Sequence, residues 1–224
     1  MPVDSKAAIE ITAYTAVPPF AKGRIKDIRL RWALEEIGEP YQVRLIDGIF
    51  EEKPEGYLAD QPFGQVPVYK EGGLTLFESG AILIHIGERD ERLLPHDPAG
   101  RGRAIGWTIA ALNSIEPPIQ TLVIIHVAGD GQDWKDGARK AALPFAEKRL
   151  AKLAHWLGDR EWLEDRFTIG DIVMIDVLRN APADLLAPHA NLAAYVDRGT
   201  ARPAFRRAMT AHLEDCTARE PEPA

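Results

Sequence analysis

Apolar and polar side chains alternate in IEITAY, residues 9–14, and again in YQVRLI, residues 41–46, which is the period-two pattern of half-buried strands. Between them, Arg24 to Ile37 predicts a helix with Ile25, Ile28 and Trp32 on one face; Gly38 supplies a left-handed cap and Pro40 blocks continuation. The polar stretch Asp47 to Gln61 has room for a short helix. From Val66 the pattern becomes strand, turn, strand, helix: VPVY, the hairpin signal Gly72-Gly73, LTLF, then a helix from Ser79. The order β-α-β-(α)-β-β-α fits one small sheet covered by helices, parallel in its first half and closed by an antiparallel hairpin.

After the linker LLPHDPAG the alternation stops, and the pattern predicts helices only. They span roughly Arg101 to Val127 with a break at Glu116-Pro117-Pro118, Lys135 to Leu157, Thr168 to Arg179, and shorter pieces near Asn191 and Pro203. Thr168-Ile169-Gly170-Asp171 is a capping box, with Phe167 and Ile172 placed as its hydrophobic staple. A chain of 224 residues accommodates two modest domains. The expected division is an α/β domain at 1–90, a linker at 91–99 and an all-α domain at 100–224.

Composition narrows the functional classes. The apolar fraction of 46% and charged fraction of 27% are those of an ordinary globular protein. A net charge of −7 with no Lys/Arg-rich block leaves little to neutralise a phosphate backbone, so nucleic acid is not an expected partner. The start MPVDSKAA lacks a basic end followed by an apolar stretch, and the runs TLVIIHVA and AILIHI fall short of a span of ~20 residues. No membrane association and a cytoplasmic location are therefore expected, with the tail EPEPA disordered. A single cysteine, Cys216, excludes an intrachain disulfide, and six histidines without HxxxH or HxH spacing give no metal motif.

Two short stretches carry candidate chemistry. In Gln65-Val66-Pro67 a proline opens a strand, where it removes a ladder donor; an edge strand accounts for it. A cis Val66–Pro67 bond, present in only ~5–6% of X-Pro bonds, would instead leave the Val66 peptide groups free to pair with an extended peptide. At Glu78-Ser79, serine is placed to N-cap the following helix, and Ile82 stands where a capping box needs Glu or Gln. Free N–H groups, a hydroxyl and the positive dipole end suit a carboxylate, and Glu78 beside them suits an ammonium. The matching ligand is an α-amino acid head group; an ordinary serine cap beside a surface glutamate is the plainer account.

GQVPV followed by a hairpin and LFESGAILIHIGER resembles the glutathione-binding half of the glutathione S-transferase family. IRLRWALEEIGEPY is similar to that family's first helix and second strand, and FTIGDIVMIDVL to its helix-capping segment in the helical domain. The resemblance implies a thioredoxin-like N-terminal domain followed by a C-terminal helical bundle. It implies that Pro67 is a cis-proline, that Val66 offers backbone hydrogen bonds to the cysteinyl unit of glutathione, and that Glu78 and Ser79 hold its γ-glutamyl end. Gln65 is implied near the glycyl side or the backbone of the tripeptide, and Lys53 at the glycyl carboxylate. Glutathione is then a co-substrate, no metal is needed, and a homodimer is expected.

A transferase must hold the glutathione sulfur as thiolate, since a cysteine-like thiol titrates near ~8.5. The family places its activating side chain just after the first strand, where Tyr14 and Thr15 are the hydroxyl candidates. The loop that follows carries an unusual Pro18-Pro19. No cysteine lies in this region, which argues against a glutathione-dependent reductase, and the serine-cysteine-serine stretch of maleylacetoacetate isomerases is missing. By the same resemblance Trp107, Leu112, Asn113 and Ile115 would face a hydrophobic electrophile, although Trp and Leu at helical spacing also read as core. The expected activity is conjugation of the thiolate to that electrophile. The alternatives are a non-catalytic glutathione-binding or protein-interaction member, or a glutathione-dependent peroxidase.

Overall fold

A computed structural model of the chain describes residues 2–49 and 52–217; the tail EPEPA lies outside the described residues. The chain runs β1 (Ile9–Tyr14), α1 (Asp27–Ile37), β2 (Tyr41–Ile46), α2 (Tyr57–Asp60), β3 (Val68–Glu71), β4 (Leu74–Phe77) and α3 (Ser79–Gly87). Helices follow: α4 (Pro98–Ala110), α5 (Glu116–Ala128), α6 (Lys135–Leu157), α7 (Ile169–Arg179), α8 (Ala183–Leu186), α9 (Ala190–Thr200) and α10 (Pro203–Thr217). They form two compact units, one of residues 1–90 with 202–224, the other of residues 91–201.

In the first unit the sheet order is β2-β1-β3-β4. β1 pairs in parallel with β2, Ile11 opposite Val43, and antiparallel with β3, Ile11 opposite Tyr69. β3 and β4 form the hairpin, closed by Glu71 opposite Leu74. The two residues between them, Gly72 and Gly73, have φ of 53° and 88°, the left-handed pair that a two-residue hairpin turn requires and that glycine adopts without steric cost. The arrangement is thioredoxin-like, with a helical region following it.

Helix α1 departs from the amphipathic pattern its sequence suggests. Every residue from Asp27 to Glu35 is buried, charged ones included. It packs against α3 and against α10, and its polar side chains are met by one another, by Arg202 just before α10 and by residues on α10. Arg31 bonds Asp27 through Nε at 2.7 Å and Asp215 through Nη2 at 2.6 Å. Arg202 grips Glu36 with two bonds of 2.6 and 2.8 Å, Arg207 reaches Glu35 at 2.6 Å, and Phe205 meets the Trp32 ring edge-on at 4.9 Å. Residues from Arg202 onward therefore group with the first unit, where the expected division placed them in an all-α domain. A buried ion pair is weak evidence of net stabilisation, yet removing one partner strands a charge and costs ~3–5 kcal/mol.

In the second unit α7 is buried along Ile169–Leu178. Its start is held by the capping box: Thr168 Oγ1 accepts from Gly170 N at 3.2 Å, and Asp171 Oδ2 accepts from Thr168 N at 2.9 Å. Asp171 reaches further, its Oδ1 accepting from Leu163 N at 3.0 Å and Tyr195 OH at 2.7 Å. Gly170 lets α4 approach, because a Cβ there would stand 2.8 Å from Cβ of Trp107.

The expected break at Glu116-Pro117-Pro118 is absent. A π-helical turn, Ala111–Ile115, joins α4 to α5, and the prolines sit in the first turn of α5, where a missing N–H and a widened ladder are tolerated. The resulting run Pro98–Ala128 is 31 residues long, long and apolar enough to cross a membrane by length and composition alone. A core helix of a soluble protein meets the same criterion.

Candidate functional site

The start of α3 is built differently from the expected serine cap. Glu78 is the N-cap, with φ 69° and ψ 113°, an exposed side chain and no side-chain capping bond. Ser79 is the first helical residue, 5% exposed, and its Oγ accepts a hydrogen bond from Arg29 Nη1 at 3.1 Å. The left-handed turn at Glu78 shifts the helix start by one residue and points the serine hydroxyl at α1. An oxygen that accepts from Arg29 keeps its own proton for another acceptor. A guanidinium 1% exposed thus stands behind a helix N-terminus, adding fixed positive charge to that of the free N–H groups. Sequence reasoning missed Arg29; it stands among Lys26, Asp27 and Arg31, and nothing there sets it apart from an ordinary charged residue of a helix.

The second part of the site is the chain entering β3, where the Val66–Pro67 peptide bond is cis. Gly64 O accepts from Tyr14 OH at 3.0 Å, Gln65 O accepts from Tyr57 OH at 2.7 Å, and Val68 N donates to Thr12 Oγ1 at 2.7 Å. Val66 and Pro67 are buried and the Gln65 side chain is exposed. Burial, reinforced by Tyr57 nearby and opposed by the Val66 backbone amide, pushes the Tyr14 phenol up to about 12. It therefore stays protonated, and its proton goes to Gly64.

Thr15 is fully buried; its N–H donates to Ile46 O at 3.0 Å, and its hydroxyl has no hydrogen-bond partner among the described residues. Lys53 donates to Gly48 O at 2.6 Å and holds its ammonium 4.7 Å from the centre of the Tyr14 ring, a cation–π contact that places positive charge beside the β1 exit.

The four residues expected to meet an electrophile lie in the second unit. Trp107 gives its indole N–H to Glu164 at 2.9 Å and packs against Trp156 at 5.4 Å. Ile115 is buried, Leu112 half-buried and Asn113 exposed, all three in the π-helical turn. Among the described residues no group of three or more His, Cys, Asp and Glu side chains is arranged to hold a metal ion. Cys216 is buried, with Sγ 3.6 Å from His212 Nε2.

Comparison with known proteins bears on this geometry. The family model described as "Glutathione S-transferase, N-terminal domain" matches residues 20–88. The match starts beyond Tyr14 and Thr15, within the loop that joins β1 to α1. The chain is 35% identical to glutathione S-transferase 4 of Zea mays over 181 residues, covering 71% of this chain and 75% of the relative. It is 28% identical to glutathione S-transferase F14 of Arabidopsis thaliana, covering 82% and 80%. Among solved structures, a glutathione transferase family member from Pseudomonas fluorescens with two glutathione bound superposes with a TM-score of 0.76 at 26% identity, covering 89% of this chain and 92% of the other. With the thioredoxin-like sheet, the cis-proline strand and the α3 start in one unit, these similarities place the chain in the glutathione S-transferase family.

Proposed function

We propose that the protein is a glutathione transferase conjugating the glutathione thiolate to a hydrophobic electrophile. The observation that carries the reading is the α3 start, where free N–H groups, the Ser79 hydroxyl and the buried charge of Arg29 behind it suit a carboxylate while the exposed Glu78 offers a partner for an ammonium. That pairing fits the zwitterionic γ-glutamyl end of the tripeptide. The bound glutathione in the Pseudomonas fluorescens relative supports the same ligand.

In this reading Val66, beside Pro67, pairs with the cysteinyl unit, and Gln65 and Lys53 serve the glycyl side. The sulfur then lies toward the end of β1. Tyr14 donates to it after exchanging its bond to Gly64, with Thr15 the second hydroxyl candidate and the Lys53 ammonium adding attraction for the negative charge. Lowering a thiol by about two pKa units takes ~2.7 kcal/mol, which one hydrogen bond to a charged group, ~1.5–3 kcal/mol, supplies. The thiolate attacks the electrophilic carbon as its leaving group departs. Leu112 and Asn113, the less buried members of the π-helical turn, are the proposed electrophile contacts, with Trp107 and Ile115 behind them. A cytoplasmic homodimer completes the reading.

The commitment of the Tyr14 proton to Gly64 favours one other account, a glutathione-binding member without transferase activity. The test is the ultraviolet difference spectrum of the protein saturated with glutathione from pH 5 to 9, with and without Tyr14→Phe. Thiolate forming well below ~8.5 and losing that advantage in the variant supports the transferase. Tight binding without thiolate supports the non-catalytic account, and absence of binding refutes both.

A further inference from the structure

Thr12 and Tyr57 belong to no part of the site expected from sequence, yet both are 1% exposed and both touch the segment that carries the cis-proline. The β1–β3 ladder runs only through Glu10 opposite Lys70 and Ile11 opposite Tyr69. One residue further along β1, the hydroxyl of Thr12 takes over as the acceptor for Val68 N, at 2.7 Å. The same oxygen lies 3.0 Å from Tyr57 OH, which lies 2.7 Å from Gln65 O.

Proton accounting gives this chain a direction. A carbonyl only accepts, so the single Tyr57 proton goes to Gln65 O, and the donor between the two hydroxyls is then Thr12. The sequence of donation is Val68 N–H to Thr12, Thr12 O–H to Tyr57, and Tyr57 O–H to Gln65 O. Its two ends are backbone groups on either side of Val66 and Pro67. One anchor is an inner strand of the sheet and the other is α2, so direct hydrogen bonds tie the segment to two elements.

We propose that Thr12 and Tyr57 are positioning residues for the tripeptide, holding Gln65 and Val68 so that Val66 meets the cysteinyl unit in one fixed orientation. The assignment rests on the glutathione reading above. Neither side chain touches the reacting atoms. Their contribution is preorganisation, which lowers the entropic cost of ordering a strand edge when a peptide binds.

The test compares Thr12→Val, which keeps the shape and removes the hydroxyl, Tyr57→Phe, which removes one oxygen, and Thr12→Ser, which restores the chain. Loss of one buried hydrogen bond in such a clamp should raise the glutathione KM by about tenfold in the first two variants. Their kcat at saturating glutathione should stay within about twofold, and Thr12→Ser should return KM to that of the unaltered protein. Hydrogen exchange of the 64–70 segment, without any ligand, should quicken in Thr12→Val and Tyr57→Phe and not in Thr12→Ser. Equal glutathione KM in all four proteins overturns the assignment, as does a KM rise that Thr12→Ser shares. Should the unaltered protein not bind glutathione, the functional reading falls and takes the tripeptide assignment with it; glutathione binding together with unchanged exchange in Thr12→Val and Tyr57→Phe overturns the positioning assignment alone.

Discussion

Replacing His212 by glutamine removes one positive charge from the contact between α10 and α1. In the native protein the Asp27 carboxylate is shared: Oδ2 meets Arg31 Nε at 2.7 Å and His212 Nδ1 at 2.9 Å. Burial works against charging this imidazole, but the attraction of Asp27 and the bond to it prevail, with a contribution from Cys216, and push His212 up to about 9 from 6.5. At ~1.4 kcal/mol per tenfold in proton affinity, that difference amounts to ~3 kcal/mol of coupling between protonation and folding. Asp27 is correspondingly held below the usual carboxylate range, burial being outweighed by His212 and Arg31; this is the same interaction seen from its other side and is not added. A folded state that binds the proton more tightly is stabilised fully below pH 6.5 and loses the benefit as pH rises through 9. Urea denaturation of the native and His212→Gln proteins from pH 6 to 10 measures the effect, and other titrating groups cancel in the difference. The native advantage should shrink by ~3 kcal/mol across that window. A difference that stays constant from pH 6 to 10 refutes the charged-imidazole account.

Three further outcomes follow from the two units. Arg29→Met, which leaves Ser79 without its donor and removes the buried charge, should weaken glutathione binding by about tenfold or more in titration calorimetry. Thr168→Ala should lower stability by ~1 kcal/mol in thermal unfolding and leave glutathione affinity unchanged. Burial raises Asp171 to about 6 against the bonds from Leu163, Tyr195 and Thr168; the folded state therefore binds this proton more tightly than the unfolded chain, and stability should fall as pH rises from 4 to 6. Carbon-13 titration of the Asp171 carboxyl checks it: a midpoint below 4 contradicts the assignment.

What the sequence made legible is local. The strands at IEITAY and YQVRLI, the left-handed Gly38, the Gly72-Gly73 turn and the Thr168 box each depend on residues a few positions apart, and each appears in the structure, although neither strand shows the expected alternation of burial. The Val66–Pro67 and Glu78-Ser79 steps were visible as well, but Ser79 was read as the cap because nothing in the sequence announces a left-handed glutamate. Partners distant in sequence stayed hidden. Tyr57 meets Thr12 across 45 positions and Arg29 meets Ser79 across 50, so a threonine on a strand and an arginine on a helix looked like ordinary residues of their elements. Only Ile25, Ile28 and Trp32 stood out along the first helix, because the cover of its charged residues comes more than 160 residues later, as the Glu36–Arg202 bonds show. The π-helical turn escaped notice because a Pro-Pro pair ordinarily ends a helix.

That late cover has a consequence for synthesis. The helical unit, residues 91–201, is one uninterrupted stretch and can close on itself as soon as it has left the ribosome. The thioredoxin-like unit, although begun first, has of its own the Asp27–Arg31 pair, and Glu35 and Glu36 wait for Arg207 and Arg202 until residues 202–217 are made. A fragment ending near residue 90 accordingly lacks the counter-charges for its own first helix. Helix α10, rather than the interdomain linker, decides when the thioredoxin-like unit is finished.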